Sequence, residues 1–391
     1  FYKIRIPGIW KGNMRDFCGT VLLEKKFFIT EEQVVTPAEI LMGAFTDADK
    51  IYINGICCGS SYDRYASRIY PVAPGILRAG ENVVCIHLYV FRGRGGAMPG
   101  KQYGIRFKKG KERWLDLSGT WDAQIRKQME YLPEKTFFNY MASAMFNGMI
   151  SPVSPYKICA VIYYQGESDV GHPNRYALEF RALVNDWRKS WKEKQLPIIY
   201  VQLAGFSDGN IKKQGTQWAE FREVQRQAME IENTAMVQAY DVGEYNDLHP
   251  MDKKTLGMRA ALAVHKLVYG EKEECTGPQV RKIRLDRDKR VYAVFDQPLQ
   301  TGSKKDGCEL VSEVELRKAN GDYKRAYVTV DGNEICAWLS DGEEPTGIRY
   351  AWKDCPMNIC LYGKRGLPVI PFIKEWGRDA IYTGKICETD R

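Results

Sequence analysis

Ile158-Cys159-Ala160-Val161-Ile162-Tyr163-Tyr164-Gln165-Gly166-Glu167-Ser168-Asp169 begins as a continuous apolar run and breaks into a polar loop with one glycine. A run of that length without alternation predicts a strand buried on both faces, as in a parallel sheet. Downstream, Tyr176, Phe180, Leu183, Val184, Trp187 and Trp191 recur at helical spacing. Pro197–Leu203 predicts the next buried strand. Trp218, Phe221, Gln225 and Ala228 outline a second helix. Ala235–Tyr240 predicts a third strand, and Leu256–Tyr269 a third helix. Strand–helix alternation of this kind implies an α/β fold with a parallel sheet, whose chemistry sits at the carboxyl ends of its strands.

The flanks read differently. Residues 1–112 carry β-rich segments at Thr20–Phe28, Lys50–Ile53 and Asn82–Val90, separated by Gly, Pro and Asn turns. Ile53-Asn54-Gly55-Ile56 is a hairpin signal, because Asn-Gly accepts the positive φ values of a primed turn. This stretch predicts a β-sandwich or jelly roll. Residues 113–273 form the α/β part. Residues 274–391 return to short strands at Val291–Phe295, Val328–Val330 and Ile335–Leu339, with a boundary at Thr276-Gly277-Pro278.

Composition narrows the function. Lys and Arg number 57 against 49 Asp and Glu, a formal charge of +8, and the basic residues are scattered rather than gathered. That balance argues against a nucleic-acid partner. The run Lys108-Lys109-Gly110-Lys111 reads as a solvated hairpin end. No stretch of 18 apolar residues predicts a membrane span. The 11 cysteines are an odd number without C-x-x-C spacing, which suits neither a full disulfide framework nor a zinc ribbon, and most of them read as buried small hydrophobes. No metal-ligand spacing and no phosphate-binding G-x-x-x-x-G-K motif is present, so neither metal nor cofactor is expected.

Two loops can carry chemistry. Gln165, Gly166 and Glu167 follow the first strand and offer an amide donor, a close-approach backbone N–H and a carboxylate, the parts of an oxyanion hole. A polar loop with glycine for the turn is the alternative. Asp241-Val242-Gly243-Glu244-Tyr245-Asn246-Asp247-Leu248-His249-Pro250 follows the third strand and holds one of only four histidines. His249 with Asp247 two residues away fits a general base and its orienting partner, or a surface histidine beside carboxylates. His87 and His265 read as structural, and His172 as a loop residue.

Both loops resemble a known family. Tyr163–Asp169 resembles the W-Y-Q-G-E-S-N block of the sialate O-acetylesterases, which are SGNH-type carbohydrate esterases, with Tyr163 for Trp and Asp169 for Asn. Asp247-Leu248-His249-Pro250 resembles their D-I-H-P block, followed by Lys253 or Lys254 and Gly257-Met258-Arg259. Asp186-Trp187-Arg188, Leu196-Pro197, Val201-Gln202-Leu203 and Arg222-Glu223-Val224-Gln225 match the pattern between the blocks. Phe146–Pro152 resembles L-Y-N-G-M-I-x-P, and Arg349–Trp352 with Gly366-Leu367-Pro368 resembles the carboxyl-terminal β region.

The resemblance implies a three-layer SGNH-like sheet with an inserted jelly roll and a carboxyl-terminal β domain. It implies an exported protein, periplasmic or secreted, that hydrolyses acetyl esters on sialic acid or other glycans. His249 would be the base. Asp247 would orient it, or Glu167 would; D-x-x-H spacing points instead to Asn246. Gln165 and Gly166 would stabilise the oxyanion. The family's nucleophile block, G-Q-S-N-M, is absent from these residues and is expected upstream of Phe1, leaving the sheet incomplete at its amino terminus. Ser168 does not replace it, because Gly-Glu-Ser-Asp-Val lacks the second glycine of a G-x-S-x-G elbow. An inactive carbohydrate-binding remnant is the rival. A glycosidase is a weaker one, because no opposed carboxylate pair can be assigned.

Overall fold

A computed structural model describes residues 2–108, 113–133, 136–207, 214–302, 313–376 and 387–388. The chain folds as two compact units, Phe1–Phe137 and Phe138–Arg391.

In the first unit, a six-stranded antiparallel sheet runs in the order Tyr2–Ile6, Gly119–Gln128, Gly19–Ile29, Gly80–Val90, Ala48–Ile53, Ile56–Ser61. A four-stranded sheet runs Arg113–Asp116, Tyr103–Phe107, Ala38–Met42, Ile69–Val72. Both contribute to one core: Val84, Ile86 and Leu88 come from the larger sheet, Ile40, Ile105 and Phe107 from the smaller. Period-2 alternation produces this core. Along Gly80–Val90 the buried residues alternate, which turns His87 outward against the ring of Tyr52. Asn54 and Gly55 both take positive φ, 51° and 81°, and close the hairpin that pairs Ile53 with Ile56.

The unit ends later than its strand pattern predicts. Arg113–Asp116 pairs with Tyr103–Phe107, and Gly119–Gln128 lies between two strands of the larger sheet. Those two strands were expected in the α/β part. Their amino-acid pattern says strand but not which sheet, and only long-range pairing decides that. The boundary placed at 112, and Lys109–Lys111 of the basic run, lie outside the described residues.

In the second unit, Val161–Tyr163, Ile198–Val201 and Thr234–Val237 form a parallel sheet in that order. Alternate residues of the central strand face opposite layers. Ile198 and Tyr200 pack with Tyr176, Phe180 and Val184 of helix Pro173–Ser190 and Phe221 of helix Gln217–Gln227. Ile199 and Val201 pack with Leu256, Ala260 and Ala263 of helix Lys253–Tyr269. Full burial of each such side chain contributes roughly 1.5–3 kcal/mol.

The first strand corrects an expectation. It spans three residues rather than Ile158–Tyr164, and Ile162 is 58% exposed. It is the outer strand of the described sheet, paired on one side only, and the face that carries Ile162 is uncovered among the described residues.

The carboxyl-terminal β region contains a five-stranded antiparallel sheet, ordered Tyr327–Asp331, Glu334–Trp338, Val291–Phe295, Val280–Leu285, Cys387–Glu388. A four-stranded sheet runs Tyr323–Arg325, Val314–Arg317, Gly347–Tyr350, Phe372–Glu375, and both sheets share a core. The region is not loosely linked. Gln238, just past the third parallel strand, accepts the Gly277 N–H at 2.8 Å and donates to the Pro368 carbonyl. Arg222, fully buried, donates to the Lys353 and Asp354 carbonyls. Burial lowers its pKa to about 10.

Cysteine burial is lower than expected. Cys18, Cys275, Cys355 and Cys360 are buried, Cys57 and Cys159 are exposed, and no disulfide joins any of these described cysteines. Among the described residues no helix is long and apolar enough to cross a membrane.

Candidate active site

The two loops singled out by sequence leave the same edge of one sheet. Parallel strands share a carboxyl edge, so Gln165 follows the first strand and Asp241 the third at the same end of the sheet, one on each side of the central strand. Two inter-strand spacings separate them at their origin, about 10 Å. Beyond it the loops approach. Lys253 Nζ stands 5.3 Å from the centroid of the Tyr164 ring. Tyr164 and Val242 pack against the same apolar cluster.

The first loop is held by its own side chains. Tyr163 donates its hydroxyl to Gln165 Oε1 at 2.7 Å, and Gln165 Nε2 donates to Asp169 Oδ2 at 3.1 Å. Burial raises the Tyr163 phenol well above its ordinary pKa, so it stays a donor. The Gly166 N–H donates to Glu167 Oε2 at 3.1 Å. Glycine is required here twice over. Its φ is +147°, and a Cβ would lie 2.9 Å from the Phe221 ring. Both prospective oxyanion donors are thus turned towards carboxylates of their own loop. Ser168 is exposed and makes no side-chain hydrogen bond among the described residues. His172 is exposed at the amino end of helix Pro173–Ser190.

The second loop closes as a turn. The Asp247 N–H donates to the Glu244 carbonyl at 3.1 Å, and Asp247 Oδ1 accepts the His249 backbone N–H at 2.9 Å. Asp247 is 5% exposed whereas His249 is open to solvent. A carboxylate two residues ahead that accepts a backbone N–H is an Asx turn, which fixes where the chain places its histidine. Asn246 is half-buried inside the same turn. Asp252 then caps helix Lys253–Tyr269, accepting the Thr255 N–H at 3.0 Å.

Sequence reading missed one buried element of this site. Arg259 Nη1 and Nη2 each donate at 2.7 Å to Asp241, whose carboxylate begins the histidine loop. The side chains are 7% and 4% exposed. Burial opposes the Arg259 charge, yet the Asp241 hydrogen bonds prevail and its pKa is raised. Its signal was a cation on the apolar stripe Leu256, Arg259, Ala260, Ala263. The other histidines lie elsewhere in the fold: His87 in its strand, and His265 with Nδ1 2.7 Å from Glu271. Among the described residues no group of three or more His, Cys, Asp or Glu is arranged to hold a metal ion.

Residues 123–266 match the family model of carbohydrate esterase, sialic acid-specific acetylesterase. Over 275 residues the chain is 31% identical to the sialate O-acetylesterase of Mus musculus, covering 60% of this chain and 47% of that one. Over 264 residues it is 28% identical to the Homo sapiens sialate O-acetylesterase, covering 59% and 48%. The chain spans about half the length of the curated relatives it matches. A carbohydrate acetylesterase from Xanthomonas citri shares the fold with a TM-score of 0.52 at 20% identity, over 87% of this chain and 96% of that one. Both loops fall inside residues 123–266, the part of the chain that is similar to the sialic acid-specific acetylesterase family of carbohydrate esterases.

Proposed function

We propose that this chain carries the base and the oxyanion-binding loop of a carbohydrate O-acetylesterase, an SGNH-like hydrolase whose nucleophilic serine lies outside residues 1–391. The supporting observation is the shared carboxyl edge, with the Gln165 and His249 loops tied by Lys253 and Tyr164. The reaction is acyl transfer. The serine Oγ attacks the acetyl carbonyl as His249 takes its proton. Gln165 Nε2 and the Gly166 N–H receive the developing oxyanion once they leave Asp169 and Glu167. His249 returns the proton to the departing sugar hydroxyl, and water then releases acetate by the same path in reverse. Asp247 positions His249 through its backbone, and Glu167 holds the Gly166 turn. The substrate is an acetylated glycan, and the protein works outside the cytoplasm.

One observation favours the second reading, a carbohydrate-binding protein without chemistry: both oxyanion donors are engaged by Glu167 and Asp169. Acetate release separates the two. A polypeptide that includes the family's nucleophile block is expected to hydrolyse acetylated sugars, and His249→Ala to lower kcat by about 10³-fold or more. Residues 1–391 alone are expected to release none. Absence of hydrolysis by the longer polypeptide, or full activity after His249→Ala, overturns the esterase reading.

A further inference from the structure

Just past strand Gly347–Tyr350, the segment Lys353-Asp354-Cys355 leaves the carboxyl-terminal β region and bonds to the chain that follows the central parallel strand. The Asp354 carbonyl accepts the Phe206 N–H at 3.2 Å, and the Asp354 N–H donates to the Gly215 carbonyl at 3.0 Å. The Cys355 N–H donates to Gln214 Oε1 at 2.7 Å. Asp354 Oδ1 accepts the Trp218 N–H at 2.8 Å. Trp218 stands in the first turn of helix Gln217–Gln227, whose own N-cap, Thr216, makes no side-chain capping bond. First-turn N–H groups have no acceptor within a helix, so Asp354 supplies the cap from a distant part of the chain.

The histidine loop rests on the same stretch. A Cβ at Gly205 would lie 3.1 Å from both Cα and Sγ of Cys355, and one at Gly243 would lie 3.1 Å from the Gly205 carbonyl oxygen. Without side chains there, the backbones at Cys355, Gly205 and Gly243 lie one on another. The Ser207 N–H then donates to the carbonyl of Tyr245, four residues before His249. We propose that Asp354 is a positioning residue, which fixes Gly205–Ser207 and, through Ser207 and Tyr245, the loop that carries His249. A shift of about 1 Å at a reacting group costs up to about 10²-fold in rate, so this support bears on chemistry as well as on folding. Its consequence for acetate release rests on the esterase reading, whereas the mechanical link does not.

Two measurements test it. The first is amide hydrogen exchange on the 391-residue chain, which needs no activity. Asp354→Ala is expected to speed exchange about tenfold at Phe206 and Ser207 and also at Asp247 and His249, with Asp354→Asn, which keeps an acceptor, near the parent. The second is steady-state acetate release by a polypeptide that includes the nucleophile block, well below its melting temperature. There Asp354→Ala is expected to lower kcat about tenfold with KM unchanged, and Asp354→Asn to restore most of it. Circular dichroism checks folding, and Asp354→Ser, a milder change, replaces the alanine variant if that one does not fold. Faster exchange confined to residues 204–207 and 214–220, with Asp247 and His249 unchanged, overturns the proposal, as does an unaltered kcat in Asp354→Ala. Equal losses in the Ala and Asn variants also overturn it. No acetate release by the parent polypeptide refutes the esterase reading instead, and hydrogen exchange then decides the link by itself.

Discussion

Lys253 stands over the ring of Tyr164, its Nζ 5.3 Å from the centroid, and so ties the end of the first parallel strand to the start of helix Lys253–Tyr269, just past the histidine loop. The family pattern has a lysine after its D-I-H-P block, Lys253 or Lys254 in this chain, and Lys253 is the one that lies over Tyr164. A cation over an aromatic face is attracted by the ring quadrupole. In an active polypeptide, Lys253→Met is expected to lower kcat/KM about three- to tenfold by loosening the loops, with Lys254→Met unchanged. Equal losses in both variants would remove the clamp from the account.

Asp247→Ala removes the acceptor of the His249 backbone N–H, so its effect is on placement as well as on charge. The expected loss in kcat is about 10–10²-fold, smaller than for His249→Ala. Asp247→Asn keeps an acceptor and is expected to recover part of it. A steady-state comparison of the three variants decides the matter, and an Asn variant no better than Ala would show that the turn is not what Asp247 supplies.

The Gln165 amide is pinned to Asp169, where the family pattern has Asn. An ionised carboxylate is a stronger acceptor than an amide oxygen and competes with the oxyanion for the same N–H. Asp169→Asn is therefore expected to raise acetate release severalfold. Gln165→Leu is expected to lower kcat about 10²-fold, the scale of one lost oxyanion donor. A fall in activity with Asp169→Asn would mean that the carboxylate supports the loop rather than restrains it.

The Asp241–Arg259 pair is buried, so breaking it strands a charge. Asp241→Ala is expected to destabilise the second unit by about 3–5 kcal/mol in urea unfolding. Asp241→Leu combined with Arg259→Met is expected to cost much less than either alone, because no unpaired charge remains. Additive losses in that cycle would show that the two side chains act separately.

Glu39 provides a pH test in the first unit. The side-chain hydrogen bond from Lys108, then that from Arg106, holds its carboxyl below the ordinary glutamate pKa. A carboxylate with a depressed folded pKa contributes stability above its unfolded pKa, and that contribution is lost as pH falls through the folded value. Glu39→Gln is expected to lower the midpoint of unfolding at neutral pH, with the gap to the parent closing in acid. A gap independent of pH would refute the ionic origin.

Local pattern was enough for the elements of the second unit. The helical recurrence of Tyr176, Phe180 and Val184 and the apolar runs near 198–201 and 234–237 are properties of a few neighbouring residues, and burial follows from them directly. The carboxyl edge as the place for chemistry follows as well, since it depends only on parallel strands, and the sequence named both loops. It also determined the Asn54-Gly55 turn, because φ preference belongs to the residue itself.

Tertiary structure decided what depends on partners far apart in the chain. It assigned Arg113–Asp116 and Gly119–Gln128 to the first unit, because strand pattern does not specify which edge a strand joins. It set Arg259 on Asp241, Arg222 on the carbonyls of Lys353 and Asp354, and Lys253 on Tyr164. It turned the Gln165 and Gly166 donors onto Asp169 and Glu167. A side chain's type lists the bonds it can make, but which bond forms depends on the groups that packing brings within about 3 Å.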